Sequence, residues 1–446
     1  MERVLYILRA HEFRSTTLAP GPDQEETTLA HRIVAAALGA LLLLTAAACG
    51  DDNDNKSDSG SGTTAPANDA ALGTPKKATG TPVTIGLIGD GKSEAIDNTP
   101  EIAAAKAAAQ YVNEYLGGVA GHPITLKVCE THQTPSGATD CGTEMANAKV
   151  PVVLNGVSGQ ANSFFKALQP TGIPIVQAGG LDEDMVGMPG AFILTNGLGS
   201  AIAGPAGIAR DNNVKKAGIL VIDVPAASGP LKAAAPLFYK NADVTPDVIA
   251  VPTGTADMTP QIQAGISNGD GQFAIVGDAA FCTSAIKALR TVGFKGPVVV
   301  IPQCVDSSSG SATNGGFEGA YVLTAGTTEK SDPDVQTYDA VMAKYAKGSE
   351  TGGVAPGGYT VVVAFARAMA GLTGEMTPES VTATLKAMPE TPLPMGKGIT
   401  FKCDGKQISI APNICSTKVL EATLDGDGNP KSYKLFETAD LLKVGG

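Results

Sequence analysis

The sequence predicts an α/β protein of two doubly wound, parallel-sheet lobes. Three observations lead there. Strand and helix patterns alternate over about 83–197 and restart over 217–326. The strand candidates are short unbroken apolar runs, the kind buried on both faces of a parallel sheet. Helices return over 331–388, and an alternating apolar–polar stretch closes the chain. Alternation of this kind implies βαβ units, and two such runs imply two similar lobes.

The first run opens with VTIGLIG (83–89). Thr99-Pro100-Glu101 then starts the helix EIAAAKAAAQYVNEYL, with proline in the first turn where its missing N–H costs nothing, and Gly117-Gly118 ends it. ITLKVCE (124–130) is the second strand, followed by a Cys129–Cys141 loop and a helix to about Ala148. VPVVLNG (150–156), IPIVQAG (173–179) and AFILTNG (191–197) follow as strands, with the helix SFFKALQPTG between the first two. A helix with few charges, SAIAGPAGIARDNN, leads out.

The second run has strands AGILVID (217–223), DVIAVP (247–252), FAIVGD (273–278), PVVVIP (297–302) and AYVLTAG (320–326), separated by helical segments. In the third region VVVAFARAM is too short for a membrane span and contains Arg367, so it reads as a packed helix. ITFKCDGKQISI and STKVLEATLDGDGNPKSYKLFE read as antiparallel strands around Asp-Gly and Gly-Asn turns.

Composition narrows the function. The chain has 446 residues and a net charge of −12. Removing residues 1–48, with four Lys/Arg and five Asp/Glu, leaves −11. A nucleic-acid binder needs clustered Lys/Arg to neutralise phosphates, and no such patch appears. Tryptophan is absent and aromatics are only 5%, which argues against a stacking platform for bases or sugars.

Residues 31–50 read HRIVAAALGALLLLTAAACG. Arg32, an apolar run from Ile33 to Leu44 and Ala46–Ala48 leading into Cys49 fit a secretory signal peptide (1–48) rather than a span. The placement of Cys49 resembles the bacterial lipoprotein signal, with Ala46 where that family prefers leucine. The resemblance implies lipid on Cys49 and anchoring at the outer face of the cell membrane. Residues 49–81, rich in Asp, Asn, Ser, Gly, Thr and Pro, are expected to form a disordered tether.

Six cysteines remain: Cys129, Cys141, Cys282, Cys304, Cys403 and Cys415. An even number in an exported chain suggests disulfides, and six allow 15 connectivities. Pairing 129–141, 282–304 and 403–415 is the most economical, with free buried thiols as the alternative. No CxxC occurs and only four histidines exist, two of them in the N-terminal segment, so no metal site and no cofactor are expected.

Four stretches carry a family resemblance. They are VTIGLIGDG with NTPEIAAAKAAAQYVNEYLGGVAGHPITLKV, VPVVLNGVSGQANSFFKALQPTGIPIVQAGG, FAIVGDAAFCTSAIKALRTVGFKGPVVVIP, and the helix GGYTVVVAFARAMAGL. Together they resemble the branched-chain amino-acid-binding family, the type I periplasmic binding proteins of ABC importers, across nearly all of 82–440. The resemblance implies Rossmann-like lobes joined by three crossings, with residues 82–198 plus 327–390 in lobe one and 199–326 plus 391–446 in lobe two. It implies a monomer that binds a small molecule, docks on an ABC permease and ATPase, and catalyses nothing.

In such sheets ligands bind beyond the carboxyl ends of the strands. That rule selects loops at Asp90–Lys92, Val157–Gly159, Gly179–Leu181, Val224–Gly229, Asp278–Phe281 and Gln303–Asp306. By the resemblance, Ser158, beside Gly159, matches a serine that bonds a ligand carboxylate, and Gly179, beside Gly180, offers backbone groups. Leu181 stands where Thr or Ser is usual, Ser228 near a usual Tyr, Asp278 at a usual aromatic, and Gln303 near the ammonium-binding carboxylate. Asp278 or Asp306 would have to replace that charge. These departures point to a reshaped pocket for a small polar solute. Simpler roles compete: Ser158 and Asp278 as helix caps, Gly179 and Gly180 as turn residues, Asp306 in a solvated loop.

An exported enzyme finds little support. GLIGDG (86–91) lacks GxGxxG spacing, no GxSxG, HExxH or Walker A motif occurs, and His122 and His132 are the only histidines in the folded body. A clamp that signals to a membrane receptor, and a structural lipoprotein, remain as alternatives to transport.

Overall fold

The computed structural model describes residues 69–93, 97–180, 185, 187–197, 199–305 and 307–443. Its first sheet is built from Val83–Gly89 (β1), Ile124–Glu130 (β2), Val153–Asn155 (β3), Ile175–Gln177 (β4) and Ala191–Ile193 (β5). The order is β2-β1-β3-β4-β5 and every pairing is parallel. All five carboxyl ends therefore open on one side. Between the strands run helices α1 (Thr99–Tyr115), α2 (Pro135–Ala148) and α3 (Ala161–Leu168). The expected strands over 150–156, 173–179 and 191–197 shorten to three residues each. β3 loses mainly its first residues, Val150 to Val152, β4 loses Ile173 with Pro174 and its last two, whereas β5 loses Leu194 to Gly197 beyond its end.

A π-helical turn at Gly199–Ala203 and α4 (Gly204–Asp211) carry the chain to the second sheet. There follow β6 (Lys216–Ile222), α5 (Pro225–Asn241), β7 (Thr245–Val251), α6 (Thr259–Ser267), β8 (Gln272–Val276), α7 (Ala279–Thr291), β9 (Val298–Val300), α8 (Ser307–Thr313) and β10 (Tyr321–Thr324). Helices α9 (Pro333–Tyr345), α10 (Ala355–Ala368) and α11 (Pro378–Ala387) share a core with the first sheet. The chain then ends in two short strands, β11 (Thr391–Pro392) and β12 (Thr400–Phe401), and the hairpin β13 (Lys418–Leu424) with β14 (Pro430–Glu437). The second sheet runs β14-β13-β10-β9-β8-β6-β7, parallel except for β13 and β14. The chain thus passes between the sheets three times, giving the two-lobed α/β architecture.

Helix α10 shows why an almost wholly apolar segment belongs inside. Tyr359, Val361 to Val363 and Phe365 are all at most 1% exposed. Arg367 at its end pairs with Asp334 at 3.1 Å and donates to the Pro392 carbonyl. Among the described residues no helix is long and apolar enough to cross a membrane.

Two expectations need correction. Residues 69–81 do not belong to a disordered tether. Asp69–Leu72 forms a helical turn, Leu72 is buried, and the Thr337 hydroxyl donates to the Ala71 carbonyl at 3.0 Å. Further on, the Ala78 and Gly80 N–H groups donate to the carbonyls of Asn113 and Gly121. A single buried leucine and three hydrogen bonds to the rest of the fold suffice to hold a polar segment that composition alone places in solvent. Residues 49–68, including Cys49, and the signal segment lie outside the described residues.

The second correction concerns 391–417. Outside its two short strands this stretch is irregular rather than a strand pair, and it serves both cores. Leu393, Ile399, Phe401, Cys403 and Cys415 pack with α1 and α10, whereas Ile408, Ala411 and Ile414 pack with the second sheet. It is stitched to the first crossing: Ile193 donates to the Asn413 carbonyl and Cys415 to the Ile193 carbonyl, each at 2.8 Å.

A buried polar knot ties the crossings further. Asn196 Nδ2 donates to Thr438 Oγ1 at 2.8 Å, Thr438 Oγ1 donates to the Thr417 carbonyl at 2.5 Å, and Asn196 Oδ1 accepts the Gly199 N–H at 2.8 Å. Asn196→Ala leaves a buried N–H and a buried hydroxyl short of partners. It is expected to cost about 1–3 kcal/mol, read as a lowered urea midpoint; an unchanged midpoint would show that water substitutes freely there.

Candidate functional site

Parallel strands present their last residues and the following loops along one edge. In the first lobe that edge is polar. Asp90 follows β1 and is 6% exposed; Ser158 follows β3 and is 7% exposed. Ser158 Oγ donates to Asp90 Oδ1 at 2.5 Å, and Thr131 Oγ1, just past β2, donates to the same oxygen at 2.9 Å. Ser158 Oγ also accepts the Gln160 N–H at 3.0 Å. It therefore braces a tight turn and does not cap α3, whose N-cap residue Gln160 has no side-chain cap bond. Val157, beside it, is 44% exposed and gives the edge one apolar face.

Beneath this cluster lies Glu101, from the first turn of α1, 2% exposed. Its Oε2 accepts the Val157 N–H at 3.0 Å, and its Oε1 is buried. Burial drives the carboxyl up to about 8; the Val157 N–H pulls it back, the neighbouring Asp90 charge pushes it further up, and the Gly156 N–H opposes. At neutral pH Glu101 is thus largely a neutral acid. Asn155 and Gln177, the final residues of β3 and β4, are fully buried. Asn155 Nδ2 donates to the Ile88 carbonyl at 2.8 Å and Gln177 Nε2 to the Gly179 carbonyl at 2.7 Å. Both leave their side-chain oxygens buried and unpartnered.

The glycines serve this geometry. Gly180 has φ +150°, and a Cβ there would sit 2.4 Å from Gln177 Nε2, so only glycine lets the amide fold under the loop. The Gly179 N–H donates to the Gly156 carbonyl at 3.3 Å. Gly159 is exposed at the loop tip.

In the second lobe the expected residues fall at the matching edge. Ser228, in the first part of α5 and 6% exposed, donates to Asp223 Oδ1 at 2.8 Å. Asp278 is the N-cap of α7 and accepts the Phe281 N–H at 2.8 Å. Gln303 is exposed in the short helical turn Pro302–Cys304. Cys282 on α7 and Cys304 in that turn are bonded to each other and fully buried, so one disulfide ties the loops after β8 and β9 together. Cys129–Cys141 joins the end of β2 to α2, and Cys403–Cys415 closes the irregular stretch between the lobes. Leu181 and Asp306 lie outside the described residues.

Sequence reasoning named Ser158 but not what it touches. Asp90 entered only as a loop residue and Glu101 only as part of a helix start; Thr131, Asn155 and Gln177 did not enter as site residues. A signal existed for three of them. Glu101 is an acid at the head of an alanine-rich helix, and Asn155 and Gln177 are polar residues closing otherwise apolar strands.

Comparison with known proteins comes to the same place. The model of a family described as periplasmic binding protein matches residues 82–410. No curated protein sequence matches the chain. Among solved structures, an ABC transporter substrate-binding protein from Sphaerobacter thermophilus has a TM-score of 0.65 at 18% identity, covering 81% of this chain and 99% of its own. The branched-chain amino acid transporter substrate-binding protein LivJ from Streptococcus pneumoniae, in complex with isoleucine, has 0.60 at 16%, covering 80% and 100%. A branched-chain amino acid ABC transporter protein from Thermus thermophilus with bound valine has 0.61 at 15%, covering 81% and 98%. At these identities the likeness speaks for the fold.

Proposed function

From the premise that this chain belongs to the periplasmic binding protein family, we propose that it captures a small polar solute between its lobes and delivers it to an ABC importer. The family is one of binding proteins, not enzymes. The observation that carries the reading is the polar cluster at the carboxyl ends of the first sheet, Asp90 with Ser158 and Thr131, facing away from a core that is otherwise apolar. A solute docks on the first lobe through the loops at 157–160 and 179–181. The second lobe closes over it by a hinge at the crossings, bringing Ser228, Asp278, Gln303 and Asp306. The closed form is what a permease recognises. Lipid on Cys49 holds the protein at the outer face of the membrane.

A thermal-shift screen of amino acids, amides, small acids and amines tests capture, since a ligand stabilises the state it binds by an amount set by its concentration over its dissociation constant. Ser158→Ala is expected to raise the dissociation constant of any hit by about tenfold, the worth of roughly one hydrogen bond to a charged group. An unchanged value removes Ser158 from the site. Cys49→Ser is expected to shift the protein from the membrane pellet to the soluble fraction. Intact-mass measurement of an unacylated N-terminus in the parent protein would end the lipid reading.

A further inference from the structure

We infer that the first-lobe half of the cleft takes a small organic cation, an amine or guanidinium, and disfavours a carboxylate; this rests on the ligand-binding reading above and names its substrate class. The reason is the balance of donors and acceptors at the edge. A carboxylate needs N–H and O–H groups pointing at it, and the two side-chain hydroxyls here and several of the loop N–H groups are already used. The Ser158 and Thr131 hydroxyl protons both go to Asp90 Oδ1. The Val157 N–H goes to Glu101, the Gln160 N–H to Ser158 Oγ, and the Gly179 N–H to the Gly156 carbonyl. What Ser158 has left for a ligand is a lone pair.

Acceptors, by contrast, are in excess. Asp90 is a nearly buried carboxylate that pairs with no lysine or arginine among the described residues. The one lysine in its loop, Lys92, is 71% exposed at the side chain and pairs with Asp97 at 3.4 Å. Independently of Asp90, two side chains at most 1% exposed carry oxygens without a donor at this same edge: Asn155 Oδ1 and Gln177 Oε1. Buried acceptors left unpaired are costly, and a donor-bearing guest, directly or through a water it orders, satisfies them. The facing lobe adds Asp223 and Asp278, both exposed. Placing a carboxylate beside Asp90 sets like charges together at low dielectric, while a cation there gains the attraction. Exposed Val157 suits a short apolar arm on the same ligand.

Three probes of similar bulk and different charge decide it: isopentylamine, isovalerate and leucine, with agmatine as the guanidinium, titrated calorimetrically into the whole exported chain. The cations are expected to bind at least tenfold tighter than isovalerate. Asp90→Asn is expected to weaken the cations at least tenfold and to strengthen isovalerate. Tighter binding of isovalerate or leucine than of either cation overturns the inference and leaves the binding function standing. An Asp90→Asn variant that folds by circular dichroism and holds the cations unchanged also overturns it. If that variant does not fold, the ranking on the unmodified protein decides. If no member of the full panel of amino acids, amides, acids and amines binds, the capture function itself fails, and this inference with it.

Discussion

Gly358→Ala is expected to lower the melting temperature by roughly 6–12 °C. Gly358 lies in the first turn of α10, where that helix crosses α1. A Cβ built there would stand 2.0 Å from the Glu101 backbone oxygen and 3.1 Å from its Cγ. The obstacle is main chain inside a helix, so it cannot swing away as a side-chain tip would. The two helices must separate, and what they separate is the closest-packed part of the first core: Ala104, Ala105, Ala107 and Ala108 on α1, all fully buried, against Val361, Val362 and Phe365 on α10. Overpacking of this kind costs about 3 kcal/mol, and each kcal/mol moves the midpoint of a domain this size by about 2–4 °C. Gly371→Ala is the control. It is exposed, with nothing within 4 Å of its Cβ position, and is expected to change stability by no more than about 0.5 kcal/mol. Equal melting temperatures for the two variants would mean that α1 and α10 are not in contact.

The second large effect is a loss of stability as pH rises. Glu101 ionises near 4.5 when unfolded and near 8 when folded. Below 4.5 both states hold the proton and the folded state bears no penalty. Between 4.5 and 8 the unfolded chain releases the proton while the folded one keeps it. The unfolded state then binds fewer protons, so stability falls with pH by up to about 1.4 kcal/mol per unit. The total reaches roughly 4 kcal/mol by pH 8. Glu101→Gln keeps the shape, still accepts the Val157 N–H and carries no proton to lose. Its melting temperature is expected to stay nearly level from pH 6 to 8 while the parent's falls. Asp270, lifted to about 6 by burial and by Asp247, with Lys216 opposing, leaves both proteins a shared slope below pH 6. Parallel curves for parent and variant above pH 6 would show that Glu101 is ionised in the folded protein.

The helix contact and the buried acid are the same place seen twice. Glu101 brings its backbone against Gly358 and its carboxyl against Gly156, where a Cβ would lie 2.4 Å from the carboxyl carbon. Two glycines on separate segments make room for one glutamate, and that glutamate in turn holds the Val157 N–H at the start of the loop after β3. The first-lobe edge is thus set by a residue that a ligand need not touch.

How much of this could be read from the chain differs by level. Strand and helix identities were readable because unbroken apolar runs and alanine-rich periodicity are local properties. β1 and α1 follow the sequence pattern closely. Ends were less readable: β3, β4 and β5 pair over only three residues each, because ladder pairing with a neighbouring strand, not the length of the apolar run, sets a strand's ends. The segment 69–81 was misread because one leucine carries little weight in a composition average yet fills a specific site, and 391–417 because its apolar residues are divided between two cores. For the site, the fold rule placed Ser158, Gly179, Ser228 and Asp278 at strand ends. It did not reveal that the Ser158 proton belongs to Asp90.

By itself, then, the order of residues determined the lobed α/β plan, the family and the set of loops that could meet a ligand, since each follows from patterns that neighbours along the chain create. Only the tertiary structure decided which groups at those loops are spent and which are left over. Asp90, Thr131 and Ser158 are far apart in sequence, and Glu101, Asn155 and Gln177 lie on three different elements. Hydrogen-bond donors and acceptors balance through space, so the chemical preference of the cleft exists only once parallel strands have brought those segments side by side.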